Sequence, residues 1–146
     1  MTTSNKRSKG FTLIELLVVI TIIGVLTSLF VANMVSVRER AKDSQKKSNL
    51  NEFKTALRLY YNDNQNYPDV SEVPAQGSPF VGTGGVVYMQ EVPEYASYTV
   101  DATGDGFTLG VDLDNLSDTE ICESWSRCGE NSCVIGTSAT YYVCAD

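Results

Sequence analysis

The chain predicts an α+β fold: a long N-terminal α-helix packed on a small antiparallel β-sheet, with a disulfide-stapled C-terminal tail. Three observations carry this. The twenty-seven residues from Phe11 to Val37 hold a single charge, Glu15, a run long enough to cross a bilayer core of about 30 Å at about 1.5 Å rise per residue. From Leu50 onward apolar residues recur at three- and four-residue steps, the mark of one buried helix face. Beyond Pro68 the pattern changes to short alternating runs divided by glycine turns, and it closes on four cysteines. The expected segments are 1–10, a short basic leader; 11–37, a transmembrane or core helix; 38–62, its amphipathic continuation; and 63–146, a β head with the cysteine tail.

The leader carries Lys6, Arg7 and Lys9 and is expected to be removed. No proline occurs before Pro68, so nothing forces a helix stop from Phe11 to Asn62, a span of roughly 78 Å. Leu50, Phe53, Leu57 and Tyr60 or Tyr61 form the apolar stripe, read as a core face against a sheet. Asn62-Asp63-Asn64-Gln65-Asn66-Tyr67-Pro68 then ends the helix, because Asn and Asp favour turns and the residue before proline avoids the α region.

Val70 to Gly85 is rich in Pro, Gly and Ser and reads as loop. Val86 to Met89 is a short apolar run. Ser97 to Asp101 and Phe107 to Leu113 alternate around Ala102-Thr103-Gly104-Asp105-Gly106, which predicts an antiparallel hairpin. Cys122, Cys128, Cys133 and Cys144 follow at spacings of five, four and ten intervening residues. Tight Cys-x2-Cys pairs of zinc and redox sites are missing, so two disulfides in a loop-rich tail are expected, with three pairings open. Tyr141 to Cys144 reads as a last strand to which at least one bridge pins the tail. Trp125 reads as a packing anchor.

Charge is polarised along the chain. Arg38 to Arg58 holds seven basic residues against three acidic ones, a net of +4. After Arg58, Arg127 stands alone against fourteen acids, a net of −13. A head this acidic is a poor phosphate-binding surface, so no nucleic acid is expected there. Histidine is absent from the sequence, which removes the commonest general base and metal ligand. No catalytic constellation is visible, and the chain is read as no enzyme, without cofactor. Asp101 and Asp105 are weak calcium candidates: the later glutamate of an EF-hand is missing, and Asp-Gly turns recur for backbone reasons alone.

An ionised acid inside a membrane span costs on the order of a few kcal/mol, so Glu15 needs a partner. A cut between Gly10 and Phe11 would create an α-amino group four residues before it, one helical turn away. Gly10-Phe11-Thr12-Leu13-Ile14-Glu15 resembles the processing signal of type IV prepilins and of type II secretion pseudopilins. The resemblance implies a membrane peptidase that cuts after Gly10 and methylates Phe11, and a Glu15 that guides docking onto the amine of Phe11 in a neighbouring subunit. Tyr60-Tyr61-Asn62-Asp63-Asn64-Gln65-Asn66-Tyr67-Pro68 similarly resembles the helix end of pseudopilins and short bacterial pilins. The later glycine-rich, calcium-binding pattern of the major pseudopilin is not evident, so the likeness is to the superfamily.

The resemblance implies a structural subunit that waits as a single-pass protein in the bacterial inner membrane with its head outside the cytoplasm, then enters a pilus or pseudopilus. Its partners would be the prepilin peptidase, membrane lipid, an inner-membrane assembly platform and identical or related subunits. Gly24 marks where the apolar helix would loosen on assembly. A low-copy tip subunit or other anchored binding module is the alternative, with Ser71 to Gly85 and the cystine tail as contacts. The flanking charges oppose this topology: Arg38, Arg40, Lys42, Lys46 and Lys47 outnumber the leader's three, and positive-inside counting would put the head in the cytoplasm. The cysteines and the leader favour the opposite orientation. The basic stretch from Arg38 to Arg58 is expected to face acidic heads of adjacent subunits, with Lys46 and Lys47 as the positions at which charge reversal tests it.

Overall fold

A computed structural model describes residues 10–130 and 133–145, the side chains of 29–33 and 35 excepted. The leader residues Lys6, Arg7 and Lys9 lie outside the described residues. Helix α1 runs Leu13–Asn64. The chain forms two compact units, Met1–Val37 and Arg38–Asp146, described in turn.

In the first unit every described side chain from Phe11 to Ser28 is exposed. The described apolar side chains lie on all sides of the helix, and none of them is buried. Among the described residues no helix is long and apolar enough to cross a membrane; several side chains of the apolar run lie outside that description.

In the second unit α1 supplies Leu50, Phe53, Ala56, Leu57 and Tyr60 to the core, so the predicted stripe is the buried face. Strand β1 (Phe80–Val81) pairs antiparallel with β2 (Val87–Met89). The first of these lies inside the stretch read as loop. Two residues are too few for a period-two signal, and Phe80 is strand by virtue of its anchor: its ring stacks on Tyr60 at 5.5 Å and meets Phe53 edge-on at 6.3 Å. Aromatic pairs at these spacings add to the area they bury.

The second sheet has the order β3-β4-β5, all antiparallel: β3 (Ser97–Val100), β4 (Phe107–Asp112) and β5 (Thr140–Cys144). The predicted hairpin is therefore present, and the last strand pairs with β4, Tyr142 opposite Gly110. Phe107, Leu109 and Val111 alternate into the core with Tyr98, Tyr141 and Val143. Gly110 sits between them on the other face. A Cβ there would stand 2.7 Å from Ser97 Oγ and 2.8 Å from the Tyr142 ring, so only glycine fits without displacing its neighbours.

The tail is not loop throughout. Helix α2 (Thr119–Arg127) forms within it, with Asp118 as N-cap accepting from the Glu120 amide at 2.9 Å. Its Ile121 and Ser124 are buried. Ser124 Oγ accepts from the Tyr142 N–H at 3.0 Å, and Trp125 Nε1 donates to the Thr140 carbonyl at 2.6 Å. Both backbone groups belong to the outer edge of β5, so α2 covers an edge that would otherwise offer itself to another strand. The pairing left open by the sequence is Cys122–Cys133 and Cys128–Cys144, with Cα separations of 5.4 and 5.6 Å. The second bridge ties the C-terminal end of α2 to the end of β5. Closing loops of this size contributes about 2–4 kcal/mol each.

Candidate assembly site

The N-terminus of α1 is built by Thr12 and Glu15. Thr12 stands just before the first helical residue, and its carbonyl accepts the first helical hydrogen bond, from the Leu16 N–H at 3.3 Å. Its backbone N–H and its hydroxyl both donate to Glu15 Oε2, at 2.8 and 2.7 Å, while the Glu15 N–H donates back to Thr12 Oγ1 at 3.3 Å. This is a capping box, Thr-x-x-Glu, satisfying two N–H groups that the helix leaves unpaired. The spacing is legible in the sequence, but the sequence reading gave Glu15 only the Phe11 amine as partner.

Gly10 and Phe11 precede the helix, exposed, with no neighbour within 4 Å of a Cβ built at Gly10. The Gly10–Phe11 peptide bond is thus presented on non-helical backbone. Phe11 lies outside the helical turn that holds Glu15, because Thr12 rather than Phe11 takes the cap position.

Polar groups further along the apolar segment are also satisfied locally. Thr21 donates to the Val18 carbonyl at 2.8 Å, Thr27 to that of Ile23 at 2.7 Å and Ser28 to that of Val25 at 2.7 Å. Hydroxyls that turn back on their own helix present little polarity outward. Gly24 lies within the helix, its Cα facing open space.

In the second unit two members of the basic stretch from Arg38 to Arg58, Lys46 and Lys47, are engaged within the chain. Lys46 Nζ donates to the Asp112 carbonyl at 2.8 Å and pairs with Asp114 at 3.5 Å. Lys47 Nζ bridges Asp118 at 2.5 Å and Glu120 at 2.8 Å, 5.3 Å from the centre of the Tyr141 ring. Burial pushes the Lys47 ammonium down, but the two carboxylates outweigh it and hold it above its ordinary value. For Asp118 burial pushes upward, and the hydrogen bonds from Lys47 and the Glu120 amide prevail and lower it. Asp43, 2% exposed, accepts from the amides of Asp114 and Asn115, both at 2.8 Å. The chain after β4 is therefore fastened to α1 by three side chains that the sequence shows only as part of a mixed charge run.

Asp101 and Asp105, the weak calcium candidates, make hydrogen bonds within the chain. Asp101 Oδ1 accepts from the Thr103 N–H and hydroxyl and from the Asp105 N–H, at 3.0–3.2 Å, closing the β3–β4 turn. Partial desolvation works to raise its carboxyl, and the bonds from Thr103 and the turn amides more than offset it, leaving it below the ordinary range. Asp105 accepts from the Tyr61 hydroxyl at 3.1 Å. Among the described residues no group of three or more acids or cysteines is placed to hold a metal. The cysteines are bonded to one another and Trp125 packs against Tyr142, ring centroids 5.3 Å apart.

A helix start with a carboxylate in its first turn, an exposed Gly-Phe bond before it and exposed apolar side chains after it are the features that the comparisons with known proteins match. Residues 5–31 match the family described as the prokaryotic N-terminal methylation motif. The type IV major pilin protein PilA of Myxococcus xanthus is 38% identical over 65 residues, 44% of this chain and 30% of that protein. Type II secretion system core protein G of Pectobacterium carotovorum is 41% identical over 69 residues, 47% of this chain and 44% of the relative. The type IV wide pilus major component PilA4 of Thermus thermophilus is 40% identical over 62 residues, 42% and 47% of the two chains. The N-terminal part of the chain is thus similar to type IV pilins and to type II secretion pseudopilins. Each alignment spans less than half of the relative's length. No solved structure matches the chain.

Proposed function

We propose that the chain is a structural subunit of a type IV pilus or type II secretion pseudopilus, cut after Gly10, N-methylated at Phe11 and polymerised through its apolar helix. The observation that supports this best is the division of labour on α1. From Phe11 to Ser28 the apolar side chains are exposed while the hydroxyls and the one carboxylate are satisfied inside the segment. Such a surface suits lipid before assembly and like helices afterwards.

Assembly is the mechanism, with no bond made or broken after processing. Subunits released from lipid pack head to tail, a heterologous contact that repeats without closing and so builds a filament. Removal of the leader leaves an ammonium at Phe11, next in sequence to the Thr12 cap. Glu15, held by one Thr12, retains its second oxygen for the amine of a neighbouring subunit. The partners are the peptidase, the assembly platform and further copies of the chain; the site is the inner membrane, then the filament.

Glu15→Leu in cells carrying the export machinery tests this. Membrane levels of the subunit should hold while sheared filaments disappear from electron micrographs. Filaments in wild-type amounts would count against the reading.

A second reading, a low-copy tip subunit, draws on one observation. Val134 and Ile135, 59% and 57% exposed, stand together on the loop that follows Cys133. Quantitative mass spectrometry of purified filaments separates the two by copy number.

A further inference from the structure

The charges just beyond Val37 are not consumed by the fold. Lys46 and Lys47, two turns along the helix, are spent on Asp114, Asp118 and Glu120, and Asp43 on backbone amides. Arg38, Arg40 and Lys42 are exposed, and among the described residues no ion pair joins them to an acid. Arg40 contributes to the field at Asp118 without touching it. The acid interspersed with them is Glu39, half-buried.

We propose that Arg38, Arg40 and Lys42 form a cationic collar that binds the anionic phospholipid headgroups of the leaflet from which the stem emerges. The inference rests on the membrane reading above. Position supports it: the three cations occupy the first five residues after the apolar run, about 7 Å of helix, which is headgroup depth if the run fills the hydrocarbon. Charge supports it as well. Basic residues beside a span are drawn to an anionic leaflet, and the acidic remainder of the chain is repelled by it. The collar thus attaches the stem where the rest of the second unit cannot attach. It also gives the cations that defeat positive-inside counting a role on the outer face.

The test is amide hydrogen exchange on the full chain, one copy per nanodisc, in phosphatidylcholine and in phosphatidylcholine with phosphatidylglycerol. Exchange across 38–45 should slow several-fold in the anionic disc, return to the zwitterionic rate in 0.5 M NaCl, and show no lipid difference in an R38Q/R40Q/K42Q variant. The strand Phe107–Asp112 serves as the control and should exchange equally throughout. Equal rates in both lipids would overturn the collar. So would protection that appears in either lipid only when several copies share a disc, which would make a neighbour's acidic head the occupant. A chain that enters neither disc would overturn the membrane reading and the collar with it.

Discussion

The two units of this chain obey opposite rules of burial. From Arg38 onward a core is packed: Leu50, Phe53, Leu57 and Leu109 are fully buried, and Lys47 and Asp43 beside it have partners. Before Val37 large apolar groups are exposed, Leu13 at 82% and Leu16 at 60%, and the polar groups, exposed as well, make short local hydrogen bonds. Hydroxyls that bond back to their own helix among exposed leucines fit the proposed passage through an apolar surrounding. The second unit buries a core of its own, whereas the apolar side chains described in the first are exposed, which the proposed role assigns to contact with lipid or other subunits.

The comparison breaks most visibly at the helix. Phe53→Ala should cost the second unit about 3–5 kcal/mol through lost contacts and a cavity, while Leu16→Ala should leave its thermal unfolding unchanged; circular dichroism of both variants in detergent checks this. A Leu16→Ala effect as large as that of Phe53→Ala would erase the distinction between the units. Asp43→Ala should cost about 1–3 kcal/mol by stranding the amides of Asp114 and Asn115, read as a shift in urea midpoint.

A pH dependence follows from Asp118. Its folded carboxyl sits below the unfolded value of about 3.9, so its contribution is present above that pH and is lost as pH falls through the folded value. Lys47, raised, contributes below its unfolded value of about 10.4 and loses that contribution only as pH rises above it. The gap in urea midpoint between wild type and Asp118→Asn should therefore be steady near neutrality and shrink below about pH 4; a gap unaltered down to pH 2 would contradict the ion pair. The smallest effect concerns Gln65, which closes α1 in the left-handed region at φ 60° with its N–H on the Tyr61 carbonyl. Gln65→Gly should stabilise by about 0.5–1 kcal/mol, since glycine adopts that conformation without a Cβ penalty, a modest rise in melting temperature.

Much of this was legible in the residues. The stripe from Leu50 to Tyr60 and the hairpin around Gly104-Asp105-Gly106 are periodic and local, and periodic, local signals survive folding. What escaped was either too short or too distant. Phe80 makes a two-residue strand because of rings contributed by α1, and α2 is a nine-residue helix whose Asp118 cap and Ile121 were overshadowed by the cysteines around them. The partners of Lys46, Lys47 and Asp43 lie 66 to 73 residues away, beyond any spacing rule. At the N-terminus the elements of the site are plain in the sequence, but the role of Thr12 depends on where the helix begins.

The most direct test of a prepilin-type subunit is the state of its N-terminus. Intact mass and N-terminal sequencing of protein recovered from membranes of cells with a prepilin peptidase, wild type against Gly10→Ala, should find a chain beginning at methylated Phe11 and, in the variant, an uncut one. A wild-type chain still beginning at Met1 in cells whose peptidase cuts its own prepilins would contradict the proposal at its root.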